Sequence, residues 1–322
     1  MNDTKLLQIL EALNKEYPQL EALLRLQKEL VAVAHSRNEE QIDLSFLMQY
    51  PPGHYYSPVP SRAEVARVAP RVWGALPESL PGIDLNTRGQ QRLFAKFVKH
   101  YKELPYSEGA QGALRYHFGN GFFDYGDAIF LYCMLQEFTP RRFVEVGSGY
   151  SSCVALDAMH LGLDMQSTFI EPYPQRLHSL LQPEDHSRVV ILEDFVQSVP
   201  LDIFLALEAN DILFIDSSHV GKIGSDVLYL LFEILPRLKE GVIVHFHDIF
   251  YPFEYPRSWV ENNLRAWNED YFLRAFLQDN TSWRILFFNN YIGKMFPEML
   301  RKWTPLAIKQ LGGSLWLVKT AA

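Results

Sequence analysis

At 322 residues, 48% hydrophobic and 21% charged, the chain has the composition of a soluble globular protein and the length to bury a full core. A net charge of −8 without a basic patch argues against a nucleic-acid surface, because phosphate binding needs clustered cations. The two cysteines, Cys133 and Cys153, fall within predicted helices and lack metal-ligand spacing, as reduced buried thiols do.

The first residues lack the charged and apolar regions of a signal peptide, and no apolar run is long enough to span a bilayer. The expectation is a cytoplasmic protein with no membrane partner. Residues 4 to about 35 carry Leu6, Leu10, Leu13, Tyr17, Leu20 and Leu24 at helical spacing, with Pro18 as a break. Residues 1–49 therefore read as a helical arm, packed on its own domain or joining homo-oligomers. From Tyr50 to Pro81 the prolines and aromatics predict an extended, docked segment rather than a helix. There His54, Tyr55 and Tyr56 are expected to anchor as buried aromatics, with a pocket-lining role as the alternative. An amphipathic helix over Asn86 to Glu103 completes a linker and docking region, 50–117.

The loop Phe118 to Asp127 alternates glycine and aromatics, and its final Asp is placed to cap a helix from Ala128 to Glu137. Beyond Thr139-Pro140, strands are predicted at 143–147, 167–171, 188–192, 211–216 and 241–247. Helices separate them, the one after the fourth strand with Val227, Leu230, Leu231 and Ile234 on one face. An aromatic insert at 250–276, a strand at 283–288, a helical stretch and a last strand at 314–319 follow. Near-continuous apolar strands alternating with helices imply an α/β domain at 118–322, mostly parallel, covered on both faces and closed by an antiparallel pair.

In such a sheet, ligands bind beyond the carboxyl ends of the strands, where strand order reverses. Those ends carry Glu145 with Gly147-Ser148-Gly149, then Glu171, Glu193-Asp194, Asp216, and His245-Phe246-His247-Asp248. The glycine turn lets backbone approach a ligand, and the following helix offers free amides.

The sequence resembles class I S-adenosylmethionine-dependent methyltransferases across roughly residues 118 to 319. The residues that carry the resemblance are Val144-Glu145-Val146-Gly147-Ser148-Gly149, Phe169-Ile170-Glu171-Pro172, and Leu235-Pro236-Arg237-Leu238-Lys239-Glu240-Gly241. Phe214-Ile215-Asp216-Ser217-Ser218-His219 with His245-Phe246-His247-Asp248 is similar to a bacterial branch that methylates small molecules or sugars. The resemblance implies a seven-stranded Rossmann-like sheet and S-adenosylmethionine as cofactor. It implies Gly147, Ser148 and Gly149 along the methionine part, Glu145 near its ammonium, Glu171 on the ribose hydroxyls, Asp194 by the adenine, and Asp216 nearby. The chemistry agrees, since a sulfonium with an ammonium and a diol favours carboxylates. A dinucleotide pyrophosphate disfavours Glu145 and finds Ser152 in place of its third glycine.

The resemblance to metal-dependent O-methyltransferases matches Asp216 and Asp248 to two aspartate ligands, but Ile249 stands where that site has Asn. A divalent metal on Asp216, Asp248 and His247 therefore stays an alternative to a metal-free general base, His247 ahead of His219, with an aspartate orienting it. His245 reads as a core residue. The implied function is O-methylation of a hydroxyl on a small metabolite or sugar. A metal-dependent oxidoreductase and a non-catalytic binding module are the alternatives.

Overall fold

The computed structural model describes residues 45–109 and 112–321, so the predicted stripe from Leu6 to Leu24 lies outside the described residues. The chain divides into two compact units after Val68. In the first, a short helix at Ser45–Gln49 is followed by proline-rich turns and the start of a helix at Arg62–Val72.

That helix corrects the expectation of an extended segment up to Pro81. The prolines at 51, 52, 58 and 60 precede it, and Pro70 falls in its last turn. Its start is a capping box: Glu64 N–H donates to Ser61 Oγ at 3.2 Å, and Ser61 N–H donates to Glu64 Oε2 at 2.9 Å. Tyr55 and Tyr56 are not buried anchors either. They are 80% and 63% exposed, and they stack on His54 and on each other.

The second unit is built on a seven-stranded sheet in the order β3-β2-β1-β4-β5-β7-β6. The strands are β1 (Arg142–Val146), β2 (Gln166–Ile170), β3 (Val189–Leu192), β4 (Ile212–Ile215), β5 (Ile243–Phe246), β6 (Trp283–Phe288) and β7 (Leu315–Lys319). The first five run parallel, and β7 lies antiparallel between β5 and β6. Strand order reverses between β1 and β4, which sets their carboxyl ends side by side.

Burial explains the apolar runs. Phe143, Phe169, Phe214, Phe246 and Trp316 are fully buried on the sheet, each worth roughly 1.5–3 kcal/mol. The helix Tyr125–Phe138 is buried all round from Gly126 to Leu135, as a helix apolar on every face must be. It packs between the helices Thr87–Tyr101 and Tyr150–His160. The first of these adds Leu93, Phe94 and Phe97 to the same core. Asp124, not Asp127, is the N-cap of the central helix, its Oδ1 accepting from Tyr125 N–H at 3.0 Å.

The loop before that helix is fixed from below by Arg115. Its fully buried guanidinium donates to Asp157 at 3.0 Å and, through two nitrogens, to Asp185 at 2.6 and 2.7 Å. Cys133 and Cys153 are free and buried, and burial pushes both thiols well up. His245 is the core residue it was expected to be: unexposed, stacked on Phe214 at 3.8 Å, and bonded to Ser314 Oγ at 2.9 Å. Burial holds its imidazole neutral, with the charge on His247 acting the same way.

Candidate active site

The site grows from the turn after β1. Asp216 N–H donates to Val146 O at 2.8 Å, drawing the ends of β1 and β4 together. Gly147, at φ 81°, passes so close to β4 that a Cβ there would lie 1.7 Å from Asp216 O. Only glycine meets both demands.

Glu145 lies beneath this turn, unexposed, and borders neither cavity described below. Its carboxyl accepts from Ser151 Oγ and, at 2.6 Å, from Ser152 Oγ, the first turn of the following helix. Burial pushes its pKa up to about 8, against the two serine bonds. At neutral pH it is largely an uncharged brace for the turn, rather than a carboxylate presented to a ligand's ammonium.

A cavity of about 470 Å³ opens beyond β1, β2 and β4. Glu171 borders it from the end of β2, with Oε2 accepting from Ser148 N–H at 3.1 Å and Oε1 from Tyr173 N–H at 2.9 Å. Two amides thus fix the carboxylate while lone pairs remain for a diol. Gln197 Oε1 and Ser217 Oγ also border the cavity, buried and without a partner. Asp194 does not border it. Its exposed carboxylate accepts from Phe195 N–H at 2.7 Å, and Phe195, Val196 and Gln197 form the wall instead.

Asp216 borders both this cavity and a second one of about 750 Å³. Ser148, Gly149, His247 and Asp248 face the second, and Ser148 Oγ there is buried and unpaired. His247 Nε2 lies 3.5 Å from Asp248 Oδ1, while its Nδ1 is buried with no partner. Burial opposes charge on this ring, but Asp216, Asp248 and Asp127 outweigh it and raise its pKa.

His219 cannot share the role of base. It borders neither cavity, and both ring nitrogens are engaged: Nδ1 with Glu269 Oε2 at 2.9 Å and Nε2 with Asp216 Oδ1 at 3.3 Å. Burial works against its charge, yet these carboxylates raise its pKa well above the ordinary value. It is an imidazolium that holds Asp216 in place, and in return His247 and His219 overcome burial to keep Asp216 ionised.

Among the described residues, no group of three or more His, Cys, Asp or Glu side chains converges to hold a metal ion.

Three residues of the larger cavity escape sequence reasoning. Asp127 accepts from Ser314 Oγ at 2.6 Å and Gly313 N–H at 3.1 Å, and burial raises its pKa to about 6. Its signal was being the one charge in the apolar run from Tyr125 to Leu135. Arg176 borders the cavity with its guanidinium 4.1 Å from the Phe122 ring centre, and its Cδ lies 3.4 Å from where a Cβ on Gly149 would sit. Arg265 sits 4.1 Å from the ring centre of Trp259 and 4.4 Å from that of Trp267.

The sheet order and the glycine turn at its switch point define a class I methyltransferase fold, and residues 144–249 match the family model of a methyltransferase domain. The chain thus carries a methyltransferase domain over residues 144–249. An uncharacterized protein of Archaeoglobus fulgidus is 31% identical to it over 180 residues, 53% of this chain and 79% of the relative. Two solved structures are more distantly similar. The methyltransferase PaMTH1 of Podospora anserina, bound to S-adenosylhomocysteine, gives a TM-score of 0.42 at 14% identity, covering 82% of this chain and 98% of that one. The O-methyltransferase TomG of Streptomyces achromogenes, in complex with S-adenosylmethionine, gives 0.39 at 13% identity, covering 80% and 96%.

Proposed function

We propose that the protein methylates a hydroxyl group on a small acceptor, a metabolite or a sugar, with His247 as the general base. The observation that carries this reading is His247 itself. Its ring borders the larger cavity, with Nε2 3.5 Å from Asp248 Oδ1 and Nδ1 buried and unpaired, an imidazole paired with a carboxylate at the edge of the acceptor space. Although burial opposes charge on the ring, Asp216 and Asp248 favour the imidazolium that forms when it takes the acceptor's proton.

Bound S-adenosylmethionine supplies a methyl group on a positively charged sulfur. Glu171 would hold the ribose hydroxyls, Gln197 and Ser217 the adenosine end, and the backbone of Gly147, Ser148 and Gly149 the amino-acid end. Arg176, next to Gly149, is placed for that end's carboxylate. Asp216 stands between the two cavities, fixed by His219. Phe123, 5.3 Å from the His247 ring, and the aromatic wall at Trp259 and Trp267 keep water from the reacting atoms.

Calorimetry with S-adenosylhomocysteine tests the cofactor half: failure to bind, or unchanged affinity in Glu171→Ala, overturns it. Transfer of label from methyl-tritiated S-adenosylmethionine into a pool of hydroxylated metabolites tests the rest. Label that survives acid but is released by base marks an ester rather than an ether and counts against hydroxyl methylation.

A further inference from the structure

We infer that the acceptor carries an acidic group, a carboxylate or a phosphate, which Arg265 recognises in the larger cavity. This rests on the methyl-transfer reading above. Arg265 belongs to the insert after β5 and lies in the corner of two indoles, Trp259 and Trp267, whose planes meet at 85° with centres 5.6 Å apart. Its amide donates to Trp259 O at 3.0 Å, which fixes the base of the side chain. Packing against two indoles holds a guanidinium in place without bonding its N–H groups to an acceptor atom. No hydrogen bond or ion pair to that fork exists among the described residues, whereas the surface arginines Arg237, Arg257 and Arg301 each pair with a carboxylate on their own helix.

The charge around it points the same way. Three carboxylates border this cavity, and each is already answered within the protein. Asp127 is held by Ser314 and Gly313, Asp216 by His219, and Asp248 by His247 and, at 3.8 Å, by His219. Lys294 also borders the cavity and spends one proton on Tyr251 O at 2.8 Å, so its charge remains unpaired. Arg265 and Lys294 are therefore cations of this cavity with no carboxylate among the described residues bonded to them. A guanidinium without a protein partner matches a two-oxygen anion, which it can bind through two parallel charge-assisted bonds.

Tryptophan fluorescence reads this site directly, because Trp259 and Trp267 flank the cation. The probes are benzoate, phenyl phosphate and benzyl alcohol, which share a ring and differ in the head group. They are titrated into the full chain with and without S-adenosylhomocysteine. Saturable binding of an anion but not of the alcohol, weakened at least tenfold in Arg265→Gln, is the expected result, and the tighter anion identifies carboxylate or phosphate. Unchanged S-adenosylhomocysteine affinity in Arg265→Gln shows that the variant is folded. Equal response to all three probes, no saturable anion binding, or full anion affinity in Arg265→Gln overturns the inference. If the protein selects anions but does not bind S-adenosylhomocysteine, the cofactor reading falls and the anion site stands.

Discussion

The cavity beside Glu171 and the cavity beside His247 share Asp216, yet they are assembled from different kinds of chain. The first is made by the ends of parallel strands and the loops leaving them, and it is bordered by Glu171, Asp216 and Asp226, one cation, Lys222, and the unpaired atoms of Gln197 and Ser217. The second gathers Phe122, Arg176, His247, Arg265, Lys294 and Gly312 from six separate segments, and Arg265 and Lys294 there have no carboxylate among the described residues bonded to them. A shared donor needs one conserved chemistry, which strand ends supply through the geometry of the sheet. Acceptor choice is left to loops and an insert that the sheet does not constrain.

Substitutions in the two cavities should separate their roles. His247→Ala is expected to lower methyl transfer about 10²–10⁴-fold, the usual contribution of a general base, while calorimetry shows S-adenosylhomocysteine affinity unchanged. An equal fall in both would merge the two cavities into one function. Gly147→Ala should damage both at once. A Cβ facing Asp216 O at 1.7 Å and a φ of 81° force the strand ends apart, for about 2–4 kcal/mol of stability in denaturant titration.

Glu171→Ala should weaken S-adenosylhomocysteine about tenfold, roughly 1.4 kcal/mol, without changing benzoate binding. The smallest effect is expected for Glu145→Gln below pH 4.5, under about 1 kcal/mol, because there the carboxyl is neutral in the folded and the unfolded chain alike and an amide can still meet both serines. Its pH dependence is the sharper test. Glu145 ionises at 4.5 in an unfolded chain and at about 8 in the folded one. Its contribution is therefore present in full below 4.5 and fades as pH rises towards 8. The stability difference between wild type and variant should shift in the variant's favour across that window. A flat difference would mean that Glu145 is charged, as a direct partner of the cofactor's ammonium would be.

The same contrast governs what could be read from sequence. The strands, their order of appearance and Glu171 follow from apolar periodicity and from acidic residues at predicted strand ends, which are local signals. Glu145 was found for the same reason, but its surroundings were not legible. Its two serine donors sit six and seven residues away, and only the turn geometry decides whether they reach back to it. His219 has the composition of a base and the neighbours of a structural cation, because Glu269 arrives from 50 residues downstream. Arg265 and Asp127 carried faint signals, a cation between two tryptophans and a lone acid in an apolar helix. Which cavity they meet is a property of the packed insert and of the loop before β7.

The left-handed His219, at φ 60°, fastens the loop after β4 to the start of the helix Glu269–Leu277. Its carbonyl accepts from Asn268 and Glu269 N–H, both at 3.2 Å, its ring binds Glu269, and Asn268 Oδ1 accepts from Gly221 N–H at 2.6 Å. Anyone recombining this protein with a relative to change its acceptor meets a crossover constraint here. The insert at 250–276 transplants as a working module only if residues 216–221 travel with it.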